Sequence, residues 1–272
     1  QLLYYDKYDN HVLKNRLRQD YNLSISGGGD KMDYFFSGGY LEDPSYIKGS
    51  SFKRYNGRAN INAQVYDWLK VGTNLMYGSR TTQSPATRFG RNAGSATANV
   101  FRFINGQNQL IQMYARDRDG NIIMENGQQK VHVLAGDTYS PLGQTSAVTG
   151  STDLIKMLDM DVDARTSNDV NTRTYAQIKF MDGLTFTSNF SLDKFNEIRT
   201  RYWNSETGQS QGVGAFGKVF SDVTILNAQQ LLNYNKTFSD HSIEALAGYE
   251  YDSFQSQNLN YNSSYELIPG FI

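Results

Sequence analysis

The residues with the clearest chemical pattern are Arg54, Asn56, Arg58, Asn60, Asn62 and Gln64, which take every second position of one run. Tyr55, Gly57, Ala59, Ile61, Ala63 and Val65 fill the positions between them. Alternate side chains of an extended strand point to opposite faces, so the six polar residues form a row of fixed donors and acceptors. Such a row can hydrogen-bond a polar solute in a wet passage, or dock against another polar protein surface. A second group is aromatic: Phe101, Phe103, Tyr114, Tyr139, Tyr202 and Trp203 fall in stretches without alternation. Their rings could stack on sugar rings or on apolar side chains of a peptide, or pack these stretches together or against a partner.

Other chemistry finds less support. Asp117-Arg118-Asp119-Gly120-Asn121 is similar to the start of a calcium loop, but Gly120 comes too early for the EF-hand spacing, which favours a simple turn. Asp159, Asp161 and Asp163 would share a face if extended, either gathering a hard cation or forming a solvated loop face. His11, His132 and His241 are far apart, with none at ligand spacing from another. No Gly-x-Ser-x-Gly elbow, phosphate-binding loop or His-Glu-x-x-His occurs. The glycine-rich stretches 27–29 and 212–217 precede no convincing helix and read as flexible loop. The expectation is therefore no catalytic residue, no metal and no cofactor, with calcium on the long loops unsupported.

The elements that must carry these residues are strands. Tyr21, Leu23 and Ile25 alternate with Asn22, Ser24 and Ser26; a turn is expected at Gly27-Gly28-Gly29-Asp30, and Tyr34, Phe36, Gly38 and Tyr40 follow on one face. Leu69, Val71, Thr73, Leu75 and Tyr77 continue the pattern after Tyr66-Asp67-Trp68. Thr174 to Phe180 leads through Asp182-Gly183 into Leu184 to Leu192, whose intervening partners are all polar, and Asp-Gly between alternating runs is a strong hairpin signal. A last pair joins at Phe238-Ser239-Asp240. The expected strands are about 17–26, 32–41, 53–66, 69–80, 169–180, 184–194, 223–237 and 241–253, with long loops at about 81–168 and 195–222.

Short connections therefore alternate with long ones, as in outer-membrane barrels with short periplasmic turns and long outer loops. The fold class expected is all-β, an antiparallel transmembrane β-barrel segment. A half-buried soluble sheet also alternates. Against it, the polar face repeats on nearly every strand, the other face mixes Gly and Ala with Tyr and Phe, and aromatics gather near strand ends as interfacial girdles do.

Composition agrees. The 272 residues carry 26 basic and 27 acidic side chains, a net charge of −1, which leaves no electrostatic footprint for nucleic acid or a polybasic membrane patch. Zero cysteines exclude disulfides and thiol chemistry. Mean hydropathy is −0.57, with no apolar run long enough for a helical span. With 19 Tyr, 15 Phe and 24 Gly against 4 Pro, the chain leans toward strands and turns.

Several strings resemble the SusC/RagA family of TonB-linked outer-membrane transporters of the Bacteroidetes. They are Tyr21-Asn22-Leu23-Ser24-Ile25-Ser26-Gly27-Gly28, Tyr34-Phe35-Phe36-Ser37-Gly38-Gly39-Tyr40, Phe52-Lys53-Arg54-Tyr55-Asn56-Gly57-Arg58-Ala59-Asn60 and Leu69-Lys70-Val71-Gly72-Thr73-Asn74-Leu75. Leu232-Asn233-Tyr234-Asn235-Lys236-Thr237-Phe238, His241 and Ala247-Gly248-Tyr249-Glu250 follow in order. The resemblance implies a barrel of about 22 strands closed by a plug domain and capped by a SusD-like lipoprotein. About eight strands fit here, with no recognisable plug or TonB box, so an internal fragment of a longer protein is expected. The polar row of residues 54–64 would then face a plug or a substrate.

The function this implies is TonB-dependent import of oligosaccharides or peptides across the outer membrane, with a SusD-like lid, TonB acting through the plug, lipid as surroundings and no nucleic acid. The alternatives are a non-transporting surface barrel or adhesin, and a soluble β-rich glycan-binding module.

Overall fold

A computed structural model describes residues 7, 9–85, 100–106, 117, 119, 121–125, 128–129, 154–205, 210 and 212–265. The strands are β1 (Gln19–Gly29), β2 (Met32–Asp43), β3 (Ser51–Tyr66), β4 (Leu69–Ser84), β5 (Met124–Glu125), β6 (Gln128–Gln129), β7 (Val162–Met181), β8 (Leu184–Trp203), β9 (Ala215–Phe238) and β10 (His241–Ser264). Eight of them form one sheet in the order β1-β2-β3-β4-β7-β8-β9-β10, each antiparallel to the next. β5 and β6 pair only with each other, in the long connection that also carries α2 (Val100–Gly106) and α3 (Leu154–Met160). A short helix α1 (Asp9–Val12) precedes β1.

The turns at one end are two residues long, at 30–31, 67–68, 182–183 and 239–240. Gly183 supplies the positive φ of 85° that the third requires, and a Cβ there would sit 2.7 Å from the Asn235 carbonyl. The first turn differs from expectation. Gly27, Gly28 and Gly29 belong to β1, and the turn is Asp30-Lys31, because pairing continues to Gly29 opposite Met32. Gly27 serves a close approach instead: a Cβ there would lie 2.6 Å from the Tyr34 hydroxyl.

The later strands are longer than alternation suggests. β7 begins at Val162 rather than near 169, β8 runs to Trp203 rather than 194, and β9 and β10 extend to Ala215 and Ser264. The extensions are held by charge rather than by apolar alternation. Arg199 donates two bonds to Asp163, at 2.8 and 2.7 Å, Arg165 lies 3.4 Å from Glu197, and Lys194 lies 3.5 Å from Asp222. Cross-strand pairs of opposite charge stabilise a ladder but erase the hydrophobic period that marks a strand.

Burial is concentrated at the long-loop end, where Val12, Leu41, Met157 and Leu158 are buried. Lys48 N–H donates to the Val12 carbonyl at 2.8 Å, and its ammonium meets Asp159 at 2.5 Å, which ties residues 9–14, 45–50 and α3 together. Among the described residues no second layer covers either face of the sheet. β1 and β10 are paired on one side only, so the sheet is open. β10 exposes Ile243, Tyr249, Tyr251 and Leu259 on one face. A soluble sheet hides such a face and such an edge.

Candidate functional site

Register sorts the side chains into two faces. Residues directly opposite in an antiparallel pair share a face, so Asn60, Asn74, Arg173, Ser191, Asn227 and Asp252 form one polar row across six strands. Asn62, Gly72, Tyr175, Asn189, Gln229 and Glu250 form the next. The other face carries Leu23, Ile25, Ala59, Ile61, Leu75, Ala176, Phe186 and Leu192. The six residues Arg54 to Gln64 lie together on the polar face of β3, as the alternation implies.

The two polar rows frame a depression of about 460 Å³, lined from β3 by Asn60 and Asn62, from β4 by Asn74, from β7 by Arg173 and Tyr175, and onward by Asn189, Ser191, Asn227 and Gln229. A neighbouring hollow of about 180 Å³ lies among Arg58, Asn74, Met76, Asn171 and Arg173. Hydrogen bonds across strands hold this wall. Tyr175 donates its hydroxyl to Asn62 Oδ1 at 3.1 Å, and Asn62 donates to Asp33 at 2.8 Å. Asn189 donates to Gln229 at 3.1 Å, and the Asn227 amide donates to both Glu250 and Asp252, at 2.7 and 2.6 Å. Tyr175 reaches Asn62 only because the residue between them is Gly72, where a Cβ would lie 2.5 Å from Asn62 Oδ1 and closer still to the Tyr175 ring.

The apolar face is bounded by aromatic residues. Near the long-loop end Tyr21, Tyr40 and Tyr55 line up, with ring centroids 6.4 and 4.9 Å apart. Near the turns Tyr66 stacks on Trp68 at 5.4 Å, with Phe180 and Phe238 beside the next turns. All of Tyr66, Trp68, Phe180 and Phe238 are exposed.

The aromatic candidates separate. Phe101 is exposed on α2, and Phe103 lies in the same helix. Tyr114 and Tyr139 lie outside the described residues. Tyr202 and Trp203 end β8 and are buried, at 4% and 9% exposure, with the Arg201 guanidinium 5.7 Å above the Trp203 ring. They pack the strand ends.

The acidic row 159–163 is likewise divided. Asp159 pairs with Lys48, Asp163 with Arg199, and buried Asp161 accepts the backbone and side-chain N–H of Asn204 at 2.8 and 2.5 Å. Burial pushes the Asp161 carboxyl up to about 6, against the pull of the Asn204 bonds. Asp117 accepts the backbone N–H of Asp119 and Asn121, each at 2.9 Å, which is the turn geometry. Among the described residues no group of three acidic or histidine side chains is placed to hold a metal. His11 lies in α1 and His241 opens β10, while His132 is outside the described residues. Arg173, Tyr175, Asn227 and Gln229 were not among the candidates. Their signal was present in the period-two pattern of β7 and β9, but which rows meet Asn60 and Asn62 depends on register.

No protein-family model matches the chain. It is 23% identical over 236 residues to TonB-dependent receptor P3 of Formosa agariphila, covering 86% of this chain, and 24% identical over 264 residues to TonB-dependent receptor P39 of the same organism, covering 92%. The chain spans 21% of the length of either relative. Among solved structures it matches the RagAB peptide transporter with a TM-score of 0.66 at 21% identity, and the closed-closed state of the RagAB peptide importer with 0.64 at 19%. Each match covers 97% of this chain and 27% of the solved one. The sheet thus has the fold of a barrel segment of a RagA-type TonB-dependent receptor, in keeping with the SusC/RagA resemblance. The relatives are receptors and transporters, not enzymes.

Proposed function

We propose that this chain forms part of the barrel wall of a TonB-dependent outer-membrane importer, with the Asn60 and Asn62 rows facing the lumen and the long connections outside the cell. The observation that carries this is the two-faced sheet whose apolar side is bounded by aromatics at both ends. Tyr55 and Tyr66 are eleven residues apart on β3. At about 3.3 Å per residue and a tilt of about 40°, that separation projects to roughly 28 Å, close to the ~25 Å apolar band of such barrels. The domain is then a partial barrel spanning 1–272, with the polar row Arg54, Asn56, Arg58, Asn60, Asn62 and Gln64 in contact with a plug or a solute. A SusD-like lipoprotein would cap the long-loop end, and TonB would act through the plug.

The cargo is an oligosaccharide or a peptide, and the RagAB neighbours favour the peptide. Amide side chains pair equally well with backbone N–H and C=O groups and with sugar hydroxyls, so the wall suits either. The test is fractionation of the source bacterium with an antibody against this chain, followed by uptake of labelled peptide and oligosaccharide mixtures by a deletion strain. Recovery in the soluble fraction would refute the barrel reading, and unchanged uptake of both mixtures would refute the import reading.

A further inference from the structure

Several basic residues of the polar face at the long-loop end are paired with its own groups. Arg199 has Asp163, Arg165 has Glu197, and Arg80 has the Ser167 hydroxyl at 3.1 Å and the Phe195 ring at 6.0 Å. At the small hollow this stops. Arg58 and Arg173 both line it, and neither has a hydrogen bond or ion pair among the described residues. Arg58 stands opposite Met76, which stands opposite Asn171, while Arg173 stands opposite Asn74. The two arginines are therefore two strands and two residues apart, about 12 Å between Cα atoms, with the hollow between them.

Acids of this chain do not fill it. Asp193, opposite Asn171, makes no ion pair with Arg173, and its Oδ1 is buried without a hydrogen-bond partner. Among the described residues Arg54 also lacks a partner, but it stands nearer the long-loop end, outside the hollow. Two guanidiniums bracketing a hollow floored by Asn74, Met76 and Asn171 offer forked N–H donors, beside two amide donors, to one anionic oxygen pair, which suits a carboxylate.

We infer that the hollow between Arg58 and Arg173 receives the carboxylate of an aspartate or glutamate borne by the polypeptide segment that fills the lumen. The inference rests on the barrel reading above and gives the lumen-filling segment a chemistry. Both guanidiniums are exposed, and a resident acid would neutralise them whether or not solute is passing, which a transient one would not. The relatives this chain matches are more than four times its length, which leaves ample polypeptide to supply one.

The experiment is cryo-electron microscopy of the full-length receptor, purified from its own membrane in carboxylate-free buffer. An Asp or Glu oxygen of the same polypeptide within hydrogen-bond distance of both guanidiniums supports the inference. Water, chloride or a dissociable solute between them overturns it. A closed lumen with such an occupant refutes this inference alone, whereas absence of a barrel refutes the importer reading beneath it. R58E/R173E in the same full-length protein gives a second readout. The expected result is a several-fold rise in planar-bilayer conductance, reversed when the contacting acid is changed to arginine. Unchanged conductance from a correctly assembled R58E/R173E barrel also overturns it.

Discussion

Ile61→Arg is the perturbation that separates the two faces most sharply. Ile61 lies six residues from Tyr55 and five from Tyr66 on β3, opposite Thr73 on β4 and Tyr34 on β2. Those steps place it about 13–15 Å below one aromatic band and above the other, near the middle of the apolar band. Arginine on a lipid-facing strand at that depth costs about 2–4 kcal/mol, equivalent to roughly 30- to 700-fold in the folding equilibrium. The control is Asn60→Arg, one residue away on the wet face. Its nearest like charge is Arg58, two residues away on the same face and about 7 Å distant. Repulsion there is only about 0.6 kcal/mol in water. The assay is guanidinium titration of the full-length protein in lipid vesicles, with heat-modifiable gel mobility as a check on assembly. Equal loss at both positions, or greater loss at Asn60, would refute the face assignment and with it the membrane reading.

Three further outcomes are expected. Gly72→Ala forces the Tyr175 ring off Asn62 and should cost about 1–3 kcal/mol, read as a lower unfolding midpoint; Tyr175→Phe should cost only the hydrogen bond, and a Gly72→Ala protein as stable as wild type would contradict the close approach. A cysteine at Asp119, in the long connection, should react with a membrane-impermeant maleimide on intact cells, while one at Asp182, in a tight turn, should not; reaction at Asp182 alone reverses the topology. Asp161 sits at the long-loop end, outside the apolar band, and burial holds its carboxyl up to about 6 against an ordinary value near 3.8. The folded state thus binds its proton more tightly than the unfolded one, so the buried charge penalises stability above pH 6 and is relieved as pH falls toward 4, by about 2–3 kcal/mol at most. Hydrogen exchange at the Asn204 amide, corrected for intrinsic rate, should show greater protection at pH 5 than at pH 7.5 and no such change in Asp161→Asn; less protection at pH 5 would contradict the sign.

Alternation along a strand is a local property, so the sequence by itself determined which residues share a face with Arg54 to Gln64, that about eight strands are present, and where three of the four tight turns fall. The resemblance to SusC/RagA transporters rested on the same strand segments and agrees with the RagAB fold. Register and partnership are non-local and were decided only in the tertiary structure. β4 and β7 are neighbours although the connection between them runs from residue 85 to 161, and no local pattern says that Asn74 will meet Arg173. The same holds for Gly72, whose role exists only because Tyr175 crosses it to reach Asn62. Strand length beyond the apolar band was hidden as well, since Asp163 and Arg199 stabilise it through a charge pair that carries no hydrophobic period. Burial of Tyr202 and Trp203 follows from that extension: once β8 runs on to Trp203, the strand ends carry these rings into packing and away from the solvent.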